Sequence, residues 1–421
     1  MQIGNISTRE RRQRLDMDKK SESFANWTRK VGPSETADME ERVDYLKRKG
    51  ENIYSFALGM PNFFTPEYIK NGAKAAIDSN KSFYTATSGI MELKREITHS
   101  LYEKNNVDYK TSEIVVTNGG KQAVFDALYS MCNQGEEVMI PSPYWVSYIS
   151  QTKLMGFKPI VITTSEKNGF KVSVEDLKKA VTDKSKVLIL NSPNNPTGAI
   201  YGYDELADIA KFCIENDLYV ISDEVYSEYI YNNKKFISIS SFEKMKDRTV
   251  VVNAFSKTYG MTGWRIGYSA SSKQLASFMT ILQSHSTSNV SSISQYAAVT
   301  AFDDSVDKSF KLSHLRSDFK KRRALADNIL SEIKGFKYIL PEGAFYFWID
   351  ISEYINKNLS GTVMKNATDF ANIVLQNTNV ALMPGDSFGD SSHIRLSFSI
   401  SEEKIRNGLL ILKNYLNKEM V

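Results

Sequence analysis

Four stretches of this chain carry residue types and spacings that could do chemistry. In the first, Val250, Val251 and Val252 read as a buried strand that leads into Ser256, Lys257 and Thr258. A lysine just past a buried strand is poorly solvated. Desolvation lowers the pKa of its amine and lets it attack a carbonyl, as a Schiff-base lysine does. The plain alternative is a solvated loop lysine. Gly260 and Gly263 then permit a tight loop before Trp264 and Arg265. In the second stretch, Asn118-Gly119-Gly120-Lys121-Gln122 follows the apolar run 114–117. A strand, glycines and a helix start bring free amides and the helix dipole to an anion. It is not a nucleotide P-loop: Val115 stands where that pattern needs glycine, and Gln122 replaces its Ser/Thr. The third is Asp223, closing the apolar run 218–221. A buried carboxylate there needs a cationic partner unless it caps a helix. The fourth is Arg395, which alternates with apolar neighbours in 393–398. Its forked guanidinium suits two-point binding of a carboxylate, or a surface salt bridge.

The elements that must position these residues are legible in outline. Strands are predicted over 53–58, 114–117, 138–140, 187–190, 218–221, 250–252, 341–348 and 393–398. Helices are predicted from Ser34 to Gly50, over 122–133, 204–216 and 271–284, and from about 304 to 333. Residues 283–289 and 384–389 read as loops. Strands alternating with helices imply a mainly parallel sheet covered on both faces. The chemistry-bearing residues then fall at strand C-termini, where such sheets place ligands.

Composition removes other classes. With 421 residues, 42% hydrophobic, the chain can bury a substantial core and form two domains. Its net charge of +4 is interspersed with no long basic stripe, which argues against a nucleic-acid partner. Cys132 and Cys213 read as small buried residues, and the four histidines show no metal-ligand spacing, so no metal is expected. No apolar run reaches membrane-span length, and the N-terminus lacks the apolar core of a secretory signal. A soluble cytoplasmic protein is expected. The polar N-terminal stretch, with Arg9, Arg11, Arg12 and Arg14, reads as a solvated tail or short surface helix.

The segment 256–268, Ser-Lys-Thr-Tyr-Gly-Met-Thr-Gly-Trp-Arg-Ile-Gly-Tyr, resembles the cofactor-lysine segment of the class I/II aminotransferases, fold-type-I enzymes that use pyridoxal 5′-phosphate (PLP). Asn195-Pro196-Thr197-Gly198 and Asp223-Glu224-Val225-Tyr226 extend the likeness, which runs from about Gly32 to the C-terminus. It implies an α/β fold: a mainly parallel seven-stranded sheet sandwiched by helices, plus a smaller α+β domain. The chain would divide into an extension (1–28), a large PLP-binding domain (65–309) and a small domain (29–64 with 310–421). Lys257 would hold the cofactor and move the substrate proton. Asp223 would face the ring nitrogen, Asn195 and Tyr226 the ring hydroxyl, and Trp145 the ring face. The Gly120 amide region, Ser256 and Arg265 would hold the phosphate, with Tyr84 reaching it from the neighbouring subunit of a homodimer. Gly59 and Arg395 would take the substrate α-carboxylate.

Within the family, Gly119-Gly120-Lys121, the Pro33-Ser34-Glu35-Thr36 segment and Pro143-Tyr144-Trp145 resemble the prokaryotic subgroup of aspartate aminotransferases. Lys121, backed by Thr36, would then meet the distal carboxylate of an acidic substrate, or Lys121 would point to phosphate or solvent. Aspartate or glutamate as donor and 2-oxoglutarate or oxaloacetate as acceptor are implied, with a related acid such as prephenate also open. Val290 stands where the family often has proline. Two other readings remain: a different PLP reaction on the same scaffold (β-lyase, decarboxylase, oxidase or synthase), and a regulator with an aminotransferase-like domain. The regulators carry a separate DNA-binding domain, for which the N-terminal extension is too short.

Overall fold

Seven strands pair into one sheet: β1 (Ile114–Thr117), β2 (Glu137–Ser142), β3 (Lys158–Thr163), β4 (Ser185–Asn191), β5 (Tyr219–Asp223), β6 (Thr249–Ala254) and β7 (Gly267–Ala270). The computed structural model describes residues 25, 27, 30–231, 234–302 and 308–420; the arginine-bearing stretch 1–24 lies outside them. Strand order is β1-β7-β6-β5-β4-β2-β3. β7 runs antiparallel to both neighbours and every other pairing is parallel. The apolar runs are continuous because both faces are covered. Val250 and Val252 enter one core while Val251 enters the opposite one. Val187 and Ile189 likewise pack on one face, and Leu188 and Leu190 on the other. Such alternation fixes register, since a one-residue slip would exchange the two cores.

A second, antiparallel sheet is built from β8 (Lys337–Tyr338), β9 (Tyr346–Asp350), β10 (Met383–Pro384) and β11 (His393–Ser397), in the order β10-β11-β9-β8. Its aromatic-rich core joins Phe56, Phe319, Phe345, Phe347, Phe370 and Phe398, and takes in Tyr226 and Tyr229 from the loop after β5. Helix α1 (Glu35–Arg48) packs Met39 and Val43, one turn apart, against Trp348 and Phe388. Acidic residues in its first turn and basic ones in its last complement its dipole. Val290 is buried and its carbonyl accepts from the Gln295 side chain (2.8 Å), so an apolar residue fills that position. No helix among the described residues is long and apolar enough to cross a membrane. Cys132 and Cys213 are buried and unpaired.

Several expected boundaries are corrected. The strand expected over 53–58 is only Tyr54–Ser55, paired with Val380–Ala381, because Ala57 and Gly59 turn their carbonyls toward the arginine and lysine described below. The strand expected from Pro341 begins at Tyr346. Before it, Gly343 and Ala344 donate their amides to the carbonyls of Gly198 and Tyr229 rather than to a neighbouring strand. The loop expected from Gln283 is still helix to Ser286. The buried Gln283 amide bonds the carbonyls of Thr87 (2.8 Å) and Val116 (3.1 Å), so a polar residue there serves the interior. The helix expected from Gln122 starts at Gly120, and β3 was missed, half-exposed on the sheet's edge.

Candidate active site

Six strands run parallel, and five of them, β1, β2, β4, β5 and β6, lead into the residues singled out above, where the loops after them converge. Lys257 lies in the short helix Phe255–Thr258 directly after β6. Its Nζ donates to the carbonyl of Gly59, and its own carbonyl accepts from Tyr229 Oη (2.6 Å). Burial, reinforced by the charge of Arg395, lowers its pKa from the usual 10.5 to about 8. The following loop is clamped by the segment after Gly59: Thr65 Oγ1 donates to the Gly260 carbonyl (2.9 Å) and accepts from Trp264 Nε1 (3.0 Å). Gly260 has φ +62°, and a Cβ there would lie 2.8 Å from the Phe63 carbonyl oxygen, so glycine is required on both counts.

Arg395 sits on β11, only 2% exposed. Nη1 donates to Asn195 Oδ1 (3.0 Å) and Nη2 to the Ala57 carbonyl (2.6 Å). The guanidinium is sandwiched between the rings of Tyr346 (4.5 Å) and Phe388 (4.9 Å). Its Nε has no hydrogen-bond partner, and among the described residues no carboxylate pairs with it. Burial lowers its pKa. Gly59 lies alongside: a Cβ on it would be 3.0 Å from Tyr346 Oη and 3.6 Å from Arg395 Nη1. The surface salt bridge considered for Arg395 is thereby ruled out.

Asp223 is buried at the end of β5. It accepts from Tyr148 Oη (2.6 Å) and the Val225 amide (3.3 Å), both neutral donors. Burial raises its pKa, with the Tyr148 bond opposing. The expected cationic partner is not supplied by a side chain in direct contact. Asn191 ties the neighbouring loops together, donating to the Asp223 carbonyl (3.0 Å) and accepting from the Asn195 amide (2.8 Å). Tyr226 Oη and Tyr346 Oη are 2.8 Å apart, both buried.

The glycine turn after β1 has the expected strand–turn–helix form. Gly119 (φ +80°) leads into helix α2 (Gly120–Met131), and a Cβ on it would lie 2.7 Å from Arg265 Nη2. Arg265 folds back over the turn, bonding the carbonyls of Asn118 and Thr262 (2.9 Å each). Gly267 of β7 presses against the same turn, where a Cβ would meet Gly120 N at 2.8 Å. Ser256 is buried beside Lys257. Gln122 accepts from the Asn118 amide (2.8 Å), which explains its departure from the P-loop pattern.

Lys121 Nζ lies over the Trp145 ring (5.3 Å to its centroid). Desolvation and the Arg265 charge lower its pKa. Trp145 meets Tyr148 edge-on (5.4 Å). Thr36 bonds Ser34 (2.8 Å) on α1. Tyr84 points away from its own chain, 90% exposed. Sequence reasoning overlooked Tyr148, Tyr229 and Tyr346, each of which bonds a site residue. Tyr148 was within reach, since it stands three residues after Trp145, in the first turn of the helix Ser147–Leu154.

Known proteins fit this geometry. The family model for aminotransferase class I and II matches residues 50–411. A probable aspartate/prephenate aminotransferase of Aquifex aeolicus is 40% identical over 387 residues, covering 92% of this chain and 96% of its own. The aspartate aminotransferase of Rhizobium meliloti superposes with a TM-score of 0.89 at 34% identity, covering 94% of this chain and 99% of its own. That of Thermus thermophilus, solved with maleate, gives 0.88 at 31%, covering 94% and 100%.

The buried amine makes a stability prediction. Because folding lowers the Lys257 pKa to about 8, the unfolded chain holds the extra proton between there and 10.5, and stability rises with pH over that window. The cost is fully present below it and gone above it. Ligand-free Lys257→Met should therefore be more stable than ligand-free wild type near pH 7, by roughly 2 kcal/mol. Urea unfolding should show that advantage shrinking as pH rises past 8 toward the ordinary lysine range. An advantage independent of pH would contradict the burial account.

Proposed function

The chain belongs to the aminotransferase class I and II family, and from that premise we propose that it is a PLP-dependent enzyme that moves an amino group between aspartate or glutamate and 2-oxoglutarate or oxaloacetate. Prephenate, named for the Aquifex relative, is a further acceptor of the same acidic class. The observation that carries the reading is a buried guanidinium, Arg395, with no carboxylate partner among the described residues and a second cation, Lys121, at the same cluster of loops. An unpaired buried charge is costly at Arg395, and the more exposed Lys121 adds a second cation, so the cluster favours a ligand with two carboxylates. The Thermus relative was solved with such a molecule, maleate.

The residues present fit PLP. The Gly119–Gly120 turn, closed by Arg265 and Gly267, leaves amides and a cation for a phosphate, with Ser256 and, from a partner subunit, Tyr84 as further donors. Asp223, held only by neutral donors, suits a protonated ring nitrogen. Asn195 and Tyr226 supply donors for a ring hydroxyl, and Trp145 a face for the ring. When bound, PLP supplies an electron sink for the pair released as the substrate Cα–H bond breaks. Arg395 and Gly59 hold the α-carboxylate and so orient that bond. Lys257, with its amine near neutrality in pKa, takes and returns the proton at Cα. Lys121, with Thr36 on α1, meets the distal carboxylate.

Two measurements test this. In a panel of amino donors compared by kcat/KM, aspartate and glutamate should lead leucine and phenylalanine, and Lys121→Ala should erase most of that lead, costing about 2–5 kcal/mol of discrimination. If the acidic donors hold no lead, or the variant keeps it, the substrate assignment is wrong. The second concerns assembly. Tyr84, Phe83 and Phe64 are 90%, 78% and 89% exposed, an aromatic surface suited to a partner chain. If Tyr84 serves the neighbouring site, mixing unfolded Lys257→Ala and Tyr84→Ala chains and refolding them together should regain activity that neither homodimer has, because each mixed dimer keeps one intact site. No regain would show that Tyr84 acts within its own chain.

A further inference from the structure

Arg395 does more than wait for a carboxylate: it sets the polarity of the two groups expected to face the cofactor's ring oxygen. By donating to Asn195 Oδ1, it leaves that amide its NH2 as the free end. On its other side lies the ring of Tyr346, whose hydroxyl meets that of Tyr226 at 2.8 Å. Each phenol has one proton, so if Tyr226 gives its proton to Tyr346 it has none for a ligand. It is free to donate elsewhere only if Tyr346 donates to it.

We propose that Tyr346 is a positioning residue whose hydroxyl donates to Tyr226 and thereby turns the Tyr226 proton toward the cofactor's ring oxygen. The surroundings favour this direction. Burial raises both phenols and the Arg395 charge draws both back, but that charge lies against the Tyr346 ring itself and is the main influence opposing burial there, whereas at Tyr226 the pull of Arg395 is countered by Asp223. The more acidic phenol is the better donor. The chain Tyr346 → Tyr226 → ring oxygen is cooperative, each bond strengthening the next. Tyr346 is held rigidly in place, since it lies in β9 opposite Ser397, is fully buried, and is closed in by Gly59, where a Cβ would stand 3.0 Å from its hydroxyl.

The inference rests on the reading of Tyr226 as a partner of the ring oxygen, and its test separates the two. The visible absorbance of lysine-bound PLP in the purified holoenzyme is titrated against pH for wild type, Tyr346→Phe, Tyr226→Phe and the double variant. A donor to the ring oxygen stabilises its anion, so weakening that donor holds the proton shared with the lysine nitrogen to higher pH. Tyr346→Phe, which keeps the ring under Arg395, should raise the midpoint by roughly 0.5–1 pH units. Tyr226→Phe should raise it at least as far, and the double variant no further than Tyr226→Phe alone. A wild-type midpoint in Tyr346→Phe, or shifts that add in the double variant, would overturn the role of Tyr346. No shift in Tyr226→Phe would instead overturn the assignment of Tyr226, and with it the chain. Absence of lysine-bound absorbance in wild type would overturn the cofactor reading itself.

Discussion

Positive charge is buried here without the negative charge that would normally accompany it. Arg395 and the half-buried Lys257 both donate to carbonyl oxygens, of Ala57 and Gly59, and among the described residues neither pairs with a carboxylate. A carbonyl satisfies a donor but does not neutralise a charge. Elsewhere some buried charges are paired, while others, such as Glu224, meet only neutral side chains. Glu228, as deeply placed, is held by both Lys104 and Arg316, and Glu137 by Lys158. Two cations that both donate to neutral carbonyls beside Gly59 suit an anion brought from outside, and burial with the Arg395 charge explains why Lys257 gives up its proton easily.

The fold delivers that cluster by simple means. Parallel strands with both faces covered leave only their ends free, and five of them lead into the site residues. Gly120, Trp145, Asn195 and Lys257 belong to the loops and helix starts beyond those ends, and Asp223 is the last residue of β5. Arg395 comes from the second sheet, so the site exists only where the two sheets are held together. The aromatic core shared by Tyr226, Tyr229, Phe319 and Phe345 does this, and Tyr229 carries it to the backbone of Lys257 through one hydrogen bond. Helix α1 adds a third wall. Its Glu40 is close enough for its charge to act on Lys121, Lys257 and Arg395 alike.

What the sequence revealed follows from how local the signal was. The parallel sheet was legible because continuous apolar runs alternate with helical stretches. Lys257 alone was ambiguous, since a lysine after a buried strand can also be a solvated loop residue, and it was the resemblance of segment 256–268 that singled it out. Asp223 was ambiguous: the same residue type caps helices, and only its depth and the Tyr148 bond distinguish the cases. Gln283 was misread because a polar residue in a serine-rich stretch looks exposed, whereas its partners, Thr87 and Val116, are far away in sequence. Tyr346 escaped for the same reason, since both its partners are remote and a tyrosine in an aromatic strand reads as packing.

The most direct measurement is chemical. PLP is added to the ligand-free protein, the mixture is reduced with borohydride, and the modified residue is located by mass spectrometry of the digest. A single covalent adduct on Lys257 is expected, because its pKa is lowered to about 8 and it follows the strand that ends beside the anion-binding turn. An adduct spread over surface lysines, or confined to another lysine with Lys257 unmodified, would contradict the central claim.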